Sequence, residues 1–298
     1  MSTFLEVLAK LGSRPPASGH RVIERLVLDR PAKVGAIGKG PRSATVVGEI
    51  AQIHRANIEA IDFRQCRLPS ARLFDCTVRE CRFSDSALLD WRLWGTSVLG
   101  CSFMRCDLRQ SVLGACNSDG LPNSFLDTTF SDCDLRETIY RGASFRKCRF
   151  DNCNLRDVQF RSSLFEDCTF IGRMDGTGFE DKSRGLEGCP LNRMKHVDFT
   201  RADLHWVEFR RMDLDETFLP INDSHLVLDS FPASLDAAIA HAQAQGTAAA
   251  KKAVAALSVV RRWAGKRGAV NRQDLLELDA TLGQELVEVL ERTQGPRQ

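Results

Sequence analysis

From Ala51 to Pro220 an apolar residue recurs at every fifth position. One run of centres extends from Ile53 and Ile58 to Leu113, a second from Phe125 to Phe170 and a third from Phe199 to Leu219. Of these twenty-eight centres only Tyr140 carries a polar atom. A helix repeats its buried face every ~3.6 residues and a strand every ~2, so a period of five matches neither and specifies a tandem repeat stacked into a solenoid.

The residue two before each centre is nearly always small, as at Ala56, Cys66, Ala71, Cys76, Ser86 and Cys101. Units such as Cys106-Asp107-Leu108-Arg109-Gln110 and Cys153-Asn154-Leu155-Arg156-Asp157 closely resemble the pentapeptide repeat family. The resemblance covers residues 51–220 and implies an all-β solenoid, a right-handed quadrilateral β-helix with four pentapeptides per coil. In that fold the centre and the small residue both point inward.

Residue types that recur at intervals of twenty support four units per coil independently: Phe63, Phe83 and Phe103 form one column, and Leu68, Leu88 and Leu108 the next. The spacing of 22 between Phe103 and Phe125 predicts a two-residue bulge that carries the Phe103 column on through Phe125, Phe145 and Phe165. Seven coils at strand spacing give a rod about 34 Å long. Three regions follow: 1–50 as an N-terminal helix, linker and cap, 51–220 as the coil with interruptions at 114–124 and 171–198, and 221–298 as an α-helical extension.

The net charge of +2 says little as a whole, but the parts differ: residues 1–50 carry 8 basic and 4 acidic residues, and the repeat segment 24 and 26. No apolar run is long enough to span a membrane and the first residues, with Glu6 and Lys10, lack a secretory pattern, so a cytoplasmic protein is expected. Nine of the eleven cysteines fall in the small inward slot, five apart or in step with the repeat, which is not zinc-ligand spacing. They read as buried thiols, with neither metal nor cofactor implied. The six histidines are scattered and no catalytic constellation accompanies them, which points away from an enzyme.

Candidate partner-binding residues come from departures from the repeat. Trp91 occupies a small-residue slot, so the coil widens or the indole turns outward. The outward slot after the centre holds Phe74, Leu89, Trp94, Leu99 and Met104, which together predict one exposed apolar patch, covered by a terminal segment or by a partner. In the second run the same slot holds Arg136, Arg141, Arg146, Arg156 and Arg161, with acids such as Glu137 and Asp157 one position on. Interleaved signs suggest solvated ion ladders and argue against direct nucleic-acid binding.

The 171–198 interruption contains Asp175, Phe179, Glu180 and Asp181, candidates for a functional loop. The Gly35–Gly40 stretch lacks the spacing of a phosphate loop. Beyond Pro220, helices are predicted over Ser234–Gln245 and Thr247–Gly265, with a third from Asn271 to about Thr293. The second is basic and the third acidic, which predicts a charge-complementary hairpin. The family resemblance makes these helices a candidate homodimer contact. It also names two function classes. One is protection or inhibition of a type II topoisomerase, DNA gyrase or topoisomerase IV, by imitation of duplex DNA, an antibiotic-resistance role. The other is an interaction scaffold for an unrelated protein.

Overall fold

The computed structural model describes residues 20–24, 43–47, 50–181 and 194–294. The expected N-terminal helix, the Gly35–Gly40 stretch, Cys189 and the Gly/Pro-rich part of the second interruption lie outside the described residues.

Three-residue strands alternate with tight corners, and each strand carries one centre inward. The residue two after the centre takes a left-handed conformation, as at Asp75 (φ 54°), Glu80 (51°), Asp85 (51°) and Asp90 (56°). One such corner every five residues turns the chain through a right angle, and short polar side chains tolerate that backbone region better than bulky ones do. The outcome is a right-handed square β-helix.

Parallel pairing defines four faces. On face A, Phe63, Phe83, Phe103, Phe130, Phe150 and Phe170 stack in one column inside a sheet of eight strands. Its ring centroids lie 4.8–5.1 Å apart. Face B carries the leucines from Leu68 to Leu155, then Met174 and Leu204. Face C runs through Ile53, Leu73 and Leu93 to Tyr140, Phe160, Phe179 and Phe209. Face D runs through Ile58, Val78 and Val98 to Phe125, Phe145 and Phe165.

This register corrects the expected bulge. Phe103 pairs with Phe130, and Phe125 pairs with Val98, so the first interruption adds seven residues to a coil. Those residues form a small hairpin with a bridge between Cys116 and Pro122 and a bond from Asn117 N–H to the Leu121 carbonyl at 2.9 Å. Asn123, fully buried, then closes the coil. Its amide donates to the carbonyls of Leu93 (2.7 Å) and Leu113 (3.0 Å) and accepts from the Thr96 N–H (3.0 Å).

The second interruption is also shorter than the sequence suggests. The strands Thr169–Asp175 and Gly178–Glu180 keep Met174 and Phe179 at inward centres. The coil is back in phase at Met194, which is fully buried, and Glu166 bridges Lys195 beside it.

Nine cysteines are buried thiols whose Sγ atoms lie 3.3–3.6 Å from two carbonyls, one of them in the coil below. Burial pushes the Cys76 and Cys168 thiols up, which keeps them protonated and unreactive.

After Leu219 the chain forms a second unit with its own core, built on Leu226, Phe231, Leu235, Leu257, Leu275, Leu286 and Leu290. It comprises an antiparallel pair, His225–Leu228 with Gly268–Asn271, and four helices: α1 (Phe231–Gln245), α2 (Ala248–Trp263), α3 (Arg272–Leu278) and α4 (Ala280–Thr293). Gly246, at φ 68°, breaks α1 from α2, and the side chains of Thr247, Asn271 and Asp279 cap the three helices that follow.

The predicted third helix is therefore two helices, because extended backbone at Asp279 starts a new one. The basic helix touches the first part of the acidic stretch, α3, but among the described residues no ion pair joins them. Arg261 of α2 binds Asp236 of α1 at 2.7 Å and Glu285 of α4 faces His241 of α1 at 2.8 Å, so α1 separates the two charges. This unit docks on the last coils: Arg211 lies over the Trp263 ring at 4.5 Å, and its N–H donates to the Trp263 carbonyl at 2.9 Å. Among the described residues no helix is long and apolar enough to cross a membrane.

Candidate functional site

Outward side chains in a square coil stand in rows that repeat every twenty residues, so neighbours in sequence are not neighbours in space. The five expected patch residues illustrate this. Phe74 and Trp94 share face C, while Leu89 lies on face B, Leu99 on face D and Met104 on face A. Each five-residue step turns the chain through a corner, which distributes consecutive outward residues around the rod. They do not form one patch.

Two members do come together, in a row with His54. The rings of His54, Phe74 and Trp94 stack face to face on face C, with centroids 4.5 and 4.6 Å apart and planes within 7° and 3° of parallel. All three are half-buried. Beside this row lies the seven-residue hairpin. Its Asn117 amide donates to Asp75 at 2.7 Å, at the corner after Phe74, and Asn117 also packs against Gly95, at the corner after Trp94. Leu121 at the hairpin's tip is 58% exposed. A rigid aromatic column flanked by an anchored loop with an exposed leucine is suited to docking a partner, since little of it must be ordered on binding. The C-terminal unit contacts residues 203–217, coils away, and does not cover it. The described N-terminal strands, Arg21–Glu24 and Ser43–Val47, instead extend the sheets.

Other candidates are placed differently. Trp91 points inward at 5% exposure, edge-on to Phe83, with its Nε1–H donating to the Leu68 carbonyl. The coil does not need to widen, because the space around the indole is lined by Leu73, Val78, Leu93 and Val98 where later coils carry aromatic rings. Phe179 is fully buried, stacked on Phe160 at 5.1 Å. Asp175 is half-buried and lies 3.5 Å from Arg173, while Glu180 and Asp181 are half-buried at the edge of the coil. Asn123 and the Leu121 hairpin escaped the sequence reading. The signal was an asparagine two before a centre, in a slot that most often holds a small residue.

Most of the charges pair across the centre rather than with the acid one position on, although Arg156 also lies 4.0 Å from Asp157. Asp62–Arg64, Asp107–Arg109, Asp134–Arg136 and Arg149–Asp151 each flank one buried centre at 2.6–2.7 Å. The residues before and after a centre leave the same strand on the same side, whereas the corner residue turns away. Arg72, nearly buried, is held by Asp90 at 2.7 Å, and Arg92 approaches the same carboxylate at 3.1 Å. Partial burial raises the Asp90 pKa, but the two arginines and Ser70 outweigh it and hold it below the usual carboxylate range. Acids at the corners are scattered: Glu80, Asp127 and Asp167 share one corner row, broken by Gly100 and Lys147. The described residues present no continuous acidic stripe. Nor do they present a group of three or more His, Cys, Asp or Glu side chains able to hold a metal ion.

Residues 125–169 match the profile of the family described as pentapeptide repeats (9 copies). The chain therefore carries pentapeptide repeats, within a β-helical coil. Solved structures similar to it include QnrB1, a plasmid-mediated fluoroquinolone resistance protein, at 15% identity, covering 65% of this chain and 91% of that one with a TM-score of 0.26. Another is HetL, involved in heterocyst differentiation regulation in the cyanobacterium Nostoc sp. strain PCC 7120, at 12% identity, 74% and 94% coverage and a TM-score of 0.24. A third is Rfr23 from the cyanobacterium Cyanothece 51142, at 14% identity, 53% and 84% coverage and a TM-score of 0.23. No curated protein matches the chain.

Proposed function

We propose that this protein is a non-enzymatic scaffold that docks a protein partner on face C, on the His54–Phe74–Trp94 column and the adjoining hairpin. The observation that carries this reading is the half-exposed ring column, in contact with a loop pinned to the coil, on a rod whose face B is lined by cross-centre ion pairs. Aromatic side chains with a buried body and an exposed edge supply much contact area at low entropic cost. Glu180 and Asp181 lie at the far end of face C, coils away from the ring column, while Asp175, Met104 and Leu126 lie on other faces, and all five are secondary contacts at most.

A type II topoisomerase, DNA gyrase or topoisomerase IV, is the more specific second reading, favoured by the straight rod of about 34 Å. Duplex imitation would need acids aligned like phosphates, and the cross-centre pairs Asp107–Arg109 and Asp134–Arg136 neutralise each other. The first reading therefore stands ahead of it.

A photo-crosslinking residue placed at Trp94 or at Leu121 in the source cell is expected to capture the same partner, while one at Arg156 on face B captures none. Equal capture from both faces, or none from face C, overturns this docking face. Relief of drug-stabilised cleavage by purified gyrase at micromolar protein, lost on Trp94→Arg, would identify the partner as the topoisomerase. No relief removes that second reading and leaves the first in place.

A further inference from the structure

Where the C-terminal unit meets the end of the coil, a cluster of polar side chains is buried that the docking face does not use. His205, on the strand Asp198–His205, faces Asp274 of α3 through Nδ1 at 2.8 Å and Asp203 through Nε2 at 3.0 Å. Asp274 also accepts the Trp206 N–H at 2.6 Å, and Asn271 donates to Asp203 at 3.0 Å. His225 completes the cluster from the strand that opens the C-terminal unit. Its Nε2 accepts the Leu204 N–H at 3.0 Å, and its Nδ1 faces the Asn222 side-chain oxygen at 2.9 Å. The side chains of His205, His225 and Asp274 are 6%, 1% and 5% exposed.

The arrangement sets the protonation of His225. A ring that accepts at Nε2 and donates at Nδ1 is neutral. A proton on Nε2 would point a donor at the Leu204 N–H and at the Asn271 amide 3.4 Å away, and the charge would be nearly cut off from water. We propose that this cluster is a proton-sensitive clasp, in which charging of His225 releases the C-terminal unit from the end of the β-helix.

The charged groups presented by the surrounding elements are Asp203 and His205 from the coil, Asp274 and Arg272 from α3, and Glu291 of α4, which is paired with Arg272 at 2.6 Å. Asp203 lies 3.7 Å from His225 Nε2 and favours the charged ring. Burial is the larger effect and lowers the His225 pKa, with His205 acting in the same direction. A base whose folded pKa is depressed contributes stability that is present above the ordinary histidine value and lost as pH falls through the folded one. Burial raises Asp274 despite its bonds to Trp206 and His205, so its contribution runs the opposite way, at lower pH. The clasp therefore weakens as pH falls below about 6.5. Release would bare the cavity of about 240 Å³ at this junction, lined by Trp206, Val207, Leu257, Val260 and Leu275.

Amide exchange on the full chain tests this. From about pH 7.5 to about pH 5.5, exchange at Leu204 and Trp206, corrected for intrinsic rate, is expected to rise several-fold relative to Phe160 in the coil, up to the ~10-fold ceiling that one histidine sets over that range. The midpoint should coincide with titration of the His225 ring followed by NMR. In His225→Gln, whose side-chain oxygen can still accept the Leu204 N–H but does not titrate, the rise should vanish. An unchanged ratio in the wild-type protein overturns the clasp, as does a midpoint that tracks another group. The wild-type ratio decides the matter even if the glutamine variant fails to dock.

Discussion

Phe160→Ala is expected to destabilise the coil by about 3–5 kcal/mol, the range for emptying a fully buried phenylalanine site. Phe160 is 0% exposed and sits at the middle of an aromatic assembly. Tyr140 and Phe179 stack on it within its own column at 4.5 and 5.1 Å, while Phe165 and Phe150 meet it edge-on from two other faces at 5.2 and 6.1 Å. The rings are held by the coils above and below, so the wall cannot collapse onto the void and the cost should fall toward the upper end of the range. Phe160→Leu keeps most of the volume and should cost under about 1.5 kcal/mol. Denaturant unfolding followed by circular dichroism measures both. A loss below about 1 kcal/mol for the alanine variant would mean the later coils are not packed as the ring geometry requires.

The effect depends on which half of the rod is altered. The early coils line faces C and D with Leu73, Leu93, Val78 and Val98, and the late coils line the same faces with Tyr140, Phe160, Phe145 and Phe165. The late half gains its order from rings crossing between faces. The early half instead takes in Trp91, whose indole uses the space that smaller centres leave.

That contrast bears on what was legible in the chain. The period of five identifies the buried centres, because burial of an apolar residue needs no knowledge of which coil it joins. The phase after the first interruption was not legible. Phe125 and Phe130 are the same residue type, and either could continue the Phe103 column by composition. What decides is the hairpin, whose Cys116–Pro122 bridge takes seven residues before the chain re-enters. The patch failed for a related reason, since outward neighbours in sequence lie on different faces. Only residues twenty apart, such as Phe74 and Trp94, meet. The His205–Asp274 contact joins residues 69 apart through tertiary docking, and no local pattern announces it.

Asn123→Ala should be nearly as damaging as the loss of Phe160, although it removes only a small polar side chain. The Asn123 amide takes the two kinds of backbone group that a hydroxyl takes in the same slot one coil earlier, here the Leu93 carbonyl and the Thr96 N–H, and adds the Leu113 carbonyl where the hairpin leaves the coil. The site is fully buried, so water is not at hand to replace them. An orphaned buried group costs about 1–3 kcal/mol, and three with some local relaxation total about 3–5 kcal/mol. Excision of 116–122 makes the complementary case. It leaves Asn123 two residues before Phe125 and restores a five-residue step from Leu113, so the coil should close with a much smaller loss. The two variants separate the explanations. If the hairpin itself held the coil together, its excision would be the more damaging. If Asn123 does so, the point substitution will be, and a midpoint shift in Asn123→Ala no larger than that of the excision would refute this assignment.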